Sequence, residues 1–206
     1  MKKILCYGDS NTFGYNPKTS KRFKEDERWS GILKNNFKNY FEIIEAGLNN
    51  RTGFTENSAG VEYCAIKHFP DFFENLKDIK LVILSIGIND LQIFYNVCEL
   101  TYQNGLKKLI SQIKEKGIDV ILICPPVLDE RILNGYFREY FDKNSIEKSK
   151  ELPRIYKKIA EEFDCGYFDF NLIAKTSDFD GLHYDKEGHR QIAKEFGDYL
   201  RAFMKV

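Results

Sequence analysis

No stretch of this sequence approaches the ~20 consecutive apolar residues that a membrane-spanning helix requires. The opening Met1-Lys2-Lys3-Ile4-Leu5-Cys6 briefly resembles an export signal, but the apolar part is short and Gly8-Asp9-Ser10 follows almost at once. Charge of one sign is missing too: 31 Lys and Arg stand against 31 Asp and Glu, interspersed along the chain. A nucleic-acid binder would carry a basic excess, so neither a nucleic-acid nor a membrane partner is expected. Paired cysteines are also lacking. Cys6, Cys64, Cys98, Cys124 and Cys165 are odd in number and widely spaced, with no Cys-x-x-Cys. Cys6 and Cys124 fall inside apolar runs, which reads as buried thiols in a reducing, cytoplasmic setting rather than disulfides or a metal knot. No repeat, low-complexity tract or linker interrupts residues 1–206, so a single domain is expected.

What the sequence does contain is a series of short apolar runs, each ending in a turn signal. The first, Ile4 to Tyr7, stops at Gly8-Asp9-Ser10-Asn11, and Gly14 follows. Phe41 to Ala46 is a second run, stopping at Gly47. Leu81 to Ile86 is almost uniformly apolar, as a central parallel strand covered on both faces must be, and it ends in Gly87-Ile88-Asn89-Asp90. Val120 to Cys124 is stopped by Pro125-Pro126, and Tyr167 to Phe170 is a short fifth run.

Between these runs the spacing predicts helices at Arg28–Phe37, Glu99–Lys116, about Ser149–Phe163 and Lys186–Phe203. A weaker helical pattern over Val61–Leu76 is expected to break at Pro70. Residues 15–27 read as a surface loop, and 127–145 as an aromatic-rich connection. Strands alternating with helices give an α/β fold with a parallel sheet. Five strands with right-handed crossovers suggest the flavodoxin-like order 2-1-3-4-5.

In such a sheet the carboxyl ends of all strands share one edge, where ligands bind. Ser10, Gly47, Asn89 and the late pair Asp180 and His183 therefore converge, although they are far apart in sequence. Acyl transfer at serine needs a base, a carboxylate that fixes the imidazole tautomer, and donors for the oxyanion. The Asp180-Gly181-Leu182-His183 turn lets the carboxylate accept from Nδ1–H while Nε2 faces Ser10. The main-chain N–H groups of Ser10 and Gly47 and the Asn89 amide are candidate oxyanion donors.

Gly8-Asp9-Ser10, Gly47, Gly87-Ile88-Asn89-Asp90 and Asp180-Gly181-Leu182-His183 resemble the four blocks of the SGNH (GDSL-type) hydrolases, in family order. Arg28-Trp29, the Glu45–Thr52 stretch and Pro125-Pro126 look most like the arylesterase and lysophospholipase L1-like branch. The resemblance implies a three-layer α/β/α serine esterase of small carboxylic esters, with short acyl, aryl or acetylated-sugar groups. It implies Ser10 as nucleophile, His183 as base, Asp180 as its partner, and Ser10, Gly47 and Asn89 as the oxyanion hole. No metal and no cofactor is implied, and members of this branch often self-associate. Asn11 stands where the family's name-giving Leu usually follows the serine. Gly53-Phe54-Thr55 departs from the branch's acidic-aromatic run.

Blander readings stand beside these. Asp9 and Asp90 suit loop ordering and capping. Asp180, His183, Asp185 and His189 invite a metal reading, against which His189 falls in the first turn of a helix. Asn11 and Arg51 are candidates for substrate binding, and Arg51 equally for organising its own loop. Tyr136, Phe137, Tyr140 and Phe141 are expected in the core or at a subunit interface rather than around an acyl pocket. A non-catalytic flavin- or glycan-binding role for the same fold remains the alternative.

Overall fold

The computed structural model describes residues 1–206. Its centre is a five-stranded parallel sheet of β1 (Lys3–Gly8), β2 (Glu42–Gly47), β3 (Ile79–Ser85), β4 (Asp119–Cys124) and β5 (Gly166–Asp169). The spatial order is β2-β1-β3-β4-β5, as expected from the sequence. Alternation explains why the runs are apolar without interruption. Leu5, Tyr7, Val82, Leu84, Val120 and Leu122 face one helical layer, while Ile4, Cys6, Leu81, Ile83, Ile121 and Ile123 face the other.

The second face is covered by α1 (Trp29–Phe37) and, at the chain's end, α5 (Lys186–Met204), through Trp29, Leu33, Phe37, Ile192, Phe196 and Leu200. The first is covered by α2 (Ala65–Glu74), α3 (Glu99–Lys114) and α4 (Lys143–Glu162). Their periodic apolar positions, such as Leu106, Leu109, Ile110 and Ile113, fill the larger core. No helix is long and apolar enough to cross a membrane.

Three elements differ from expectation. Helix α2 runs through Pro70 instead of breaking there. Proline cannot donate to the carbonyl four residues back, and Gln112 Nε2 donates to that Ile66 carbonyl at 3.2 Å instead. Helix α4 begins two turns earlier than expected, at Lys143. Its polar first turns carry no apolar period, but Asp142 and Ser145 form a reciprocal capping box, with Ser145 N–H on Asp142 Oδ1 at 2.8 Å. Finally, the loop after β1 contains a two-residue antiparallel ribbon, Tyr15–Asn16 against Lys21–Arg22.

Pairing register places the functional edge. Gly8 lies opposite Gly47 on one side and Ser85 on the other, and Cys124 opposite Asp169. The segments that leave these residues therefore emerge side by side.

Candidate active site

Ser10 is the first residue of a one-turn helix, Ser10–Phe13, directly after β1. Asp9 caps that turn, its Oδ1 accepting from Asn11 N–H at 2.9 Å. At the first helical position the Ser10 N–H has no acceptor within the helix. Its Oγ lies 2.8 Å from His183 Nε2, and His183 Nδ1 lies 2.7 Å from Asp180 Oδ2. The other carboxylate oxygen of Asp180 accepts from the Leu182 and His183 N–H groups, both at 3.0 Å. One side chain thus shapes the turn and holds the imidazole. All three residues are buried.

The group opens onto a cavity of about 250 Å³. One wall is aromatic, with Tyr15, Tyr136, Phe137, Tyr140 and Phe141; the other is built of carboxamides, Asn49, Asn50, Asn89 and Gln92. The Tyr15 and Phe137 rings flank His183, with centroids 4.5 and 5.4 Å from the imidazole. The aromatic connection expected in the core or at an interface does two things: Phe141 is buried in the larger core with Phe137 packed against it, and the same residues with Tyr136 and Tyr140 line the site. Its short-helix spacing carried no information about which neighbour it meets. Tyr15 was hidden in the polar loop, and only its closeness to the Ser10 block could have marked it.

Asn89 sits where expected, at the exit of β3 and in the cavity wall. Its Nδ2 donates one hydrogen to the Arg51 carbonyl at 3.0 Å, which leaves a second for a ligand. The β3 exit is itself pinned. Tyr156 and Tyr102 hydroxyls donate to the Ile86 and Gly87 carbonyls, and Gly87 has φ +118° with no room for a Cβ beneath the two hydroxyls.

Gly47 does not join this group. It lies outside the cavity wall, and a Cβ there would collide with the main chain of Thr12 and Phe13. The close approach it permits is that of the Ser10 helix, not of a substrate. Three residues on, Asn50 does reach the cavity. Its φ is +61°, and its main-chain N–H donates to no protein group. Asn11 and Arg51 are also absent from the wall. Asn11 is buried, with Nδ2 on the Leu182 carbonyl at 3.4 Å and Oδ1 accepting from Tyr184 N–H at 3.2 Å. It ties the Ser10 helix to the His183 loop. Arg51 lies beneath the strand ends, donating to the Gly8 and Ala46 carbonyls at 3.0 and 2.6 Å, with its guanidinium 4.3 Å above the Tyr7 ring. Both organise the site from behind.

The chain's family follows from a wider match. A family model described as GDSL-like lipase/acylhydrolase matches residues 4–196. The chain belongs to that family. A carbohydrate acetylesterase family member from Sinorhizobium meliloti is 27% identical, with TM-score 0.91 and 100% of both chains covered. The "M. Smegmatis Aryl Esterase" is 26% identical, with TM-score 0.90 and 98% of this chain and 99% of that one covered. An uncharacterized lipoprotein of Mycoplasma pneumoniae is 29% identical over 79 residues, 38% of this chain and 34% of the lipoprotein's length. Family and structural likeness together make this GDSL-like acylhydrolase a carboxylic ester hydrolase of the SGNH type.

Electrostatics in the acylhydrolase separate the carboxyls. Burial pushes the Asp180 carboxyl up, but the bond from His183, the imidazole's charge and two main-chain N–H groups outweigh it and hold it below the usual range. Burial raises Asp9 to about 7 against the Asn11 N–H bond and the charge of Arg51. His189 is lowered to about 3 by burial, then by the charges of His183 and Arg28, so it is neutral. Its Nδ1 accepts from Trp29 N–H at 3.4 Å, while Asp185 caps α5 by accepting from Gly188 N–H. The four residues of the metal reading are thus divided among separate tasks, and no group of three or more His, Cys, Asp or Glu side chains is placed to hold an ion.

Asp90 does more than cap. Fully buried, it accepts from the N–H groups of Gly53, Phe54 and Thr55 and from the Thr55 hydroxyl, at 2.6 to 3.0 Å. Burial pushes its carboxyl up despite these four bonds. Asp90→Ala should therefore cost more than the ~0.5–2 kcal/mol of a lost helix cap, because each buried donor left unpaired costs ~1–3 kcal/mol. Asn89→Ala should instead lower kcat by ~10²–10³ with little change in KM, the pattern of a donor used in the transition state. Thermal midpoints and steady-state kinetics of both variants separate the roles. A fully active Asn89→Ala, or a fully stable but inactive Asp90→Ala, would reverse the assignment.

Proposed function

We propose that the enzyme hydrolyses small, uncharged carboxylic esters through an acyl-enzyme on Ser10. The observation that carries this reading is the hydrogen-bonded series Ser10 Oγ, His183, Asp180 at the wall of the cavity. Ser10 Oγ attacks the ester carbonyl as its proton passes to His183 Nε2. Asp180 keeps Nδ1 protonated and stabilises the imidazolium. The tetrahedral oxyanion meets the Ser10 N–H and the free hydrogen of Asn89 Nδ2, with the Asn50 N–H in the place expected for Gly47. Collapse breaks the bond to the alcohol oxygen, which takes the proton back from His183. Water, deprotonated by the same imidazole, then attacks the acyl carbon; the bond to Ser10 Oγ breaks, Oγ takes the proton back from His183, and the acid leaves.

Apart from Asp180's partner His183, the cavity wall carries no titratable group other than tyrosine hydroxyls. An aryl ring, or the C–H face of a sugar ring, can lie against the aromatic wall while hydroxyls or the ester carbonyl meet the carboxamides. Acetylated sugars and short-chain aryl esters are therefore the substrate classes we assign. A flavin- or glycan-binding role leaves the Ser10–His183 bond without a use. The test is a panel of neutral and charged esters with the purified protein. Neutral short-acyl esters should be turned over fastest, and a marked preference for anionic or cationic esters would refute the assignment.

Acid should silence the reaction. Only a neutral imidazole can accept from Ser10, so kcat/KM should fall on the acid side as His183 takes up a proton. Burial brings the Asp9 carboxyl up to about 7, so the control is Asp9→Asn, which preserves the cap but cannot ionise. The acid limb should persist in that variant. Its disappearance would make Asp9, not His183, the group that controls the rate.

A further inference from the structure

Gln92 has no part in the four sequence blocks, yet it is buried within the cavity wall between two of the groups assigned to the oxyanion. Its Nε2 donates to Asn89 Oδ1 at 3.1 Å and to Asn50 Oδ1 at 2.9 Å. The direction of this chain follows from its far end. The Arg51 carbonyl can only accept, so the atom of Asn89 that faces it at 3.0 Å must be Nδ2. Oδ1 then points the other way, where an N–H donor must meet it, and Gln92 supplies that donor. Both hydrogens of the Gln92 amide are used, one on each asparagine.

Resting on the roles proposed above for Asn89 and Asn50, we propose that Gln92 is a positioning residue that sets the Asn89 amide for the oxyanion and holds the Asn50 loop beside it. It does not need to touch the substrate. It opposes the one error available to Asn89, rotation by 180° about its last bond, which would turn an oxygen toward a developing negative charge. The left-handed backbone of Asn50 is held from two sides in the same way, by Gln92 on its side chain and by Asn57 Nδ2 on its carbonyl at 2.8 Å.

Two substitutions of similar size make the test. Gln92→Met removes the donor and adds nothing, so Asn89 keeps only its bond to Arg51. Gln92→Glu places a carboxylate against Asn89 Oδ1, which repels that oxygen and attracts Nδ2 away from its working position. The expected loss in kcat is ~10-fold for Gln92→Met and ~10²-fold for Gln92→Glu, below the ~10²–10³ for loss of the donor itself, with KM little changed. The double variant Asn89→Ala/Gln92→Glu should lose less than the product of the two single losses, because the part of the Gln92 effect that acts through Asn89 is already gone and only the part through Asn50 remains. Thermal midpoints confirm that folded proteins are compared, and either single variant suffices if the other fails to fold. An unchanged kcat in the folded variant, equal losses in the two, or losses that multiply in the double variant would overturn the positioning role. Full activity of Asn89→Ala would instead overturn the donor role of Asn89, a separate and recognisable failure.

Discussion

Ser10→Ala is expected to lose about six orders of magnitude in turnover, the scale seen when a triad nucleophile is removed from a hydrolase. Without Oγ there is no acyl-enzyme, and what remains is water attacking a carbonyl polarised by the surviving donors. The fold should not change. Ser10 occupies the first position of a one-turn helix, alanine suits that backbone, and the only side-chain bond lost is the one to His183. The decisive measurement combines steady-state kinetics on a chromogenic ester with mass spectrometry after acid quenching. Wild-type protein should carry the acyl group as a mass increment on the peptide containing Ser10, and the variant should carry none. Substantial turnover in Ser10→Ala, or acylation elsewhere, would move the chemistry to another residue.

The parts of this site that were legible in the sequence are those fixed by strand ends and local turns. Ser10, Asn89 and the Asp180–His183 pair each sit within a few residues of an apolar run or inside a tight turn, so the parallel register carries them to one edge. Gly47 misled because sequence shows which loop follows β2 but not which of its residues faces inward. The left-handed turn at Asn50 moves the inward position three residues along. Asn11 and Arg51 were legible as polar residues near the edge. Their orientation depends on carbonyls contributed by Leu182, Gly8 and Ala46, contacts that only the folded chain creates. The aromatic wall was read only in part for a related reason: Phe141 does enter the core, but helical spacing fixes a shared face and says nothing about the cavity which that face also meets.

The second large effect is expected from Asp180→Asn, which should lower kcat by ~10⁴ while leaving the geometry nearly intact. The asparagine Oδ1 can still accept from the Leu182 and His183 N–H groups, so the turn survives. The atom facing His183 Nδ1, however, changes from an acceptor to an N–H donor. Nδ1 must then be the unprotonated nitrogen, which puts the ring hydrogen on Nε2, facing Ser10 Oγ at 2.8 Å. The imidazole can no longer take the serine proton, and an imidazolium would have lost the carboxylate beside it. Stability should fall modestly as well. The Asp180 carboxyl is held below its ordinary value in the fold, so it stabilises the native state above about pH 4, and that contribution fades as pH drops through the folded value. Asp180→Ala provides the comparison, since it removes the turn bonds too and should lower the thermal midpoint further. Turnover close to wild type in a folded Asp180→Asn would mean that His183 takes its tautomer from another partner, and the role assigned to Asp180 would fall.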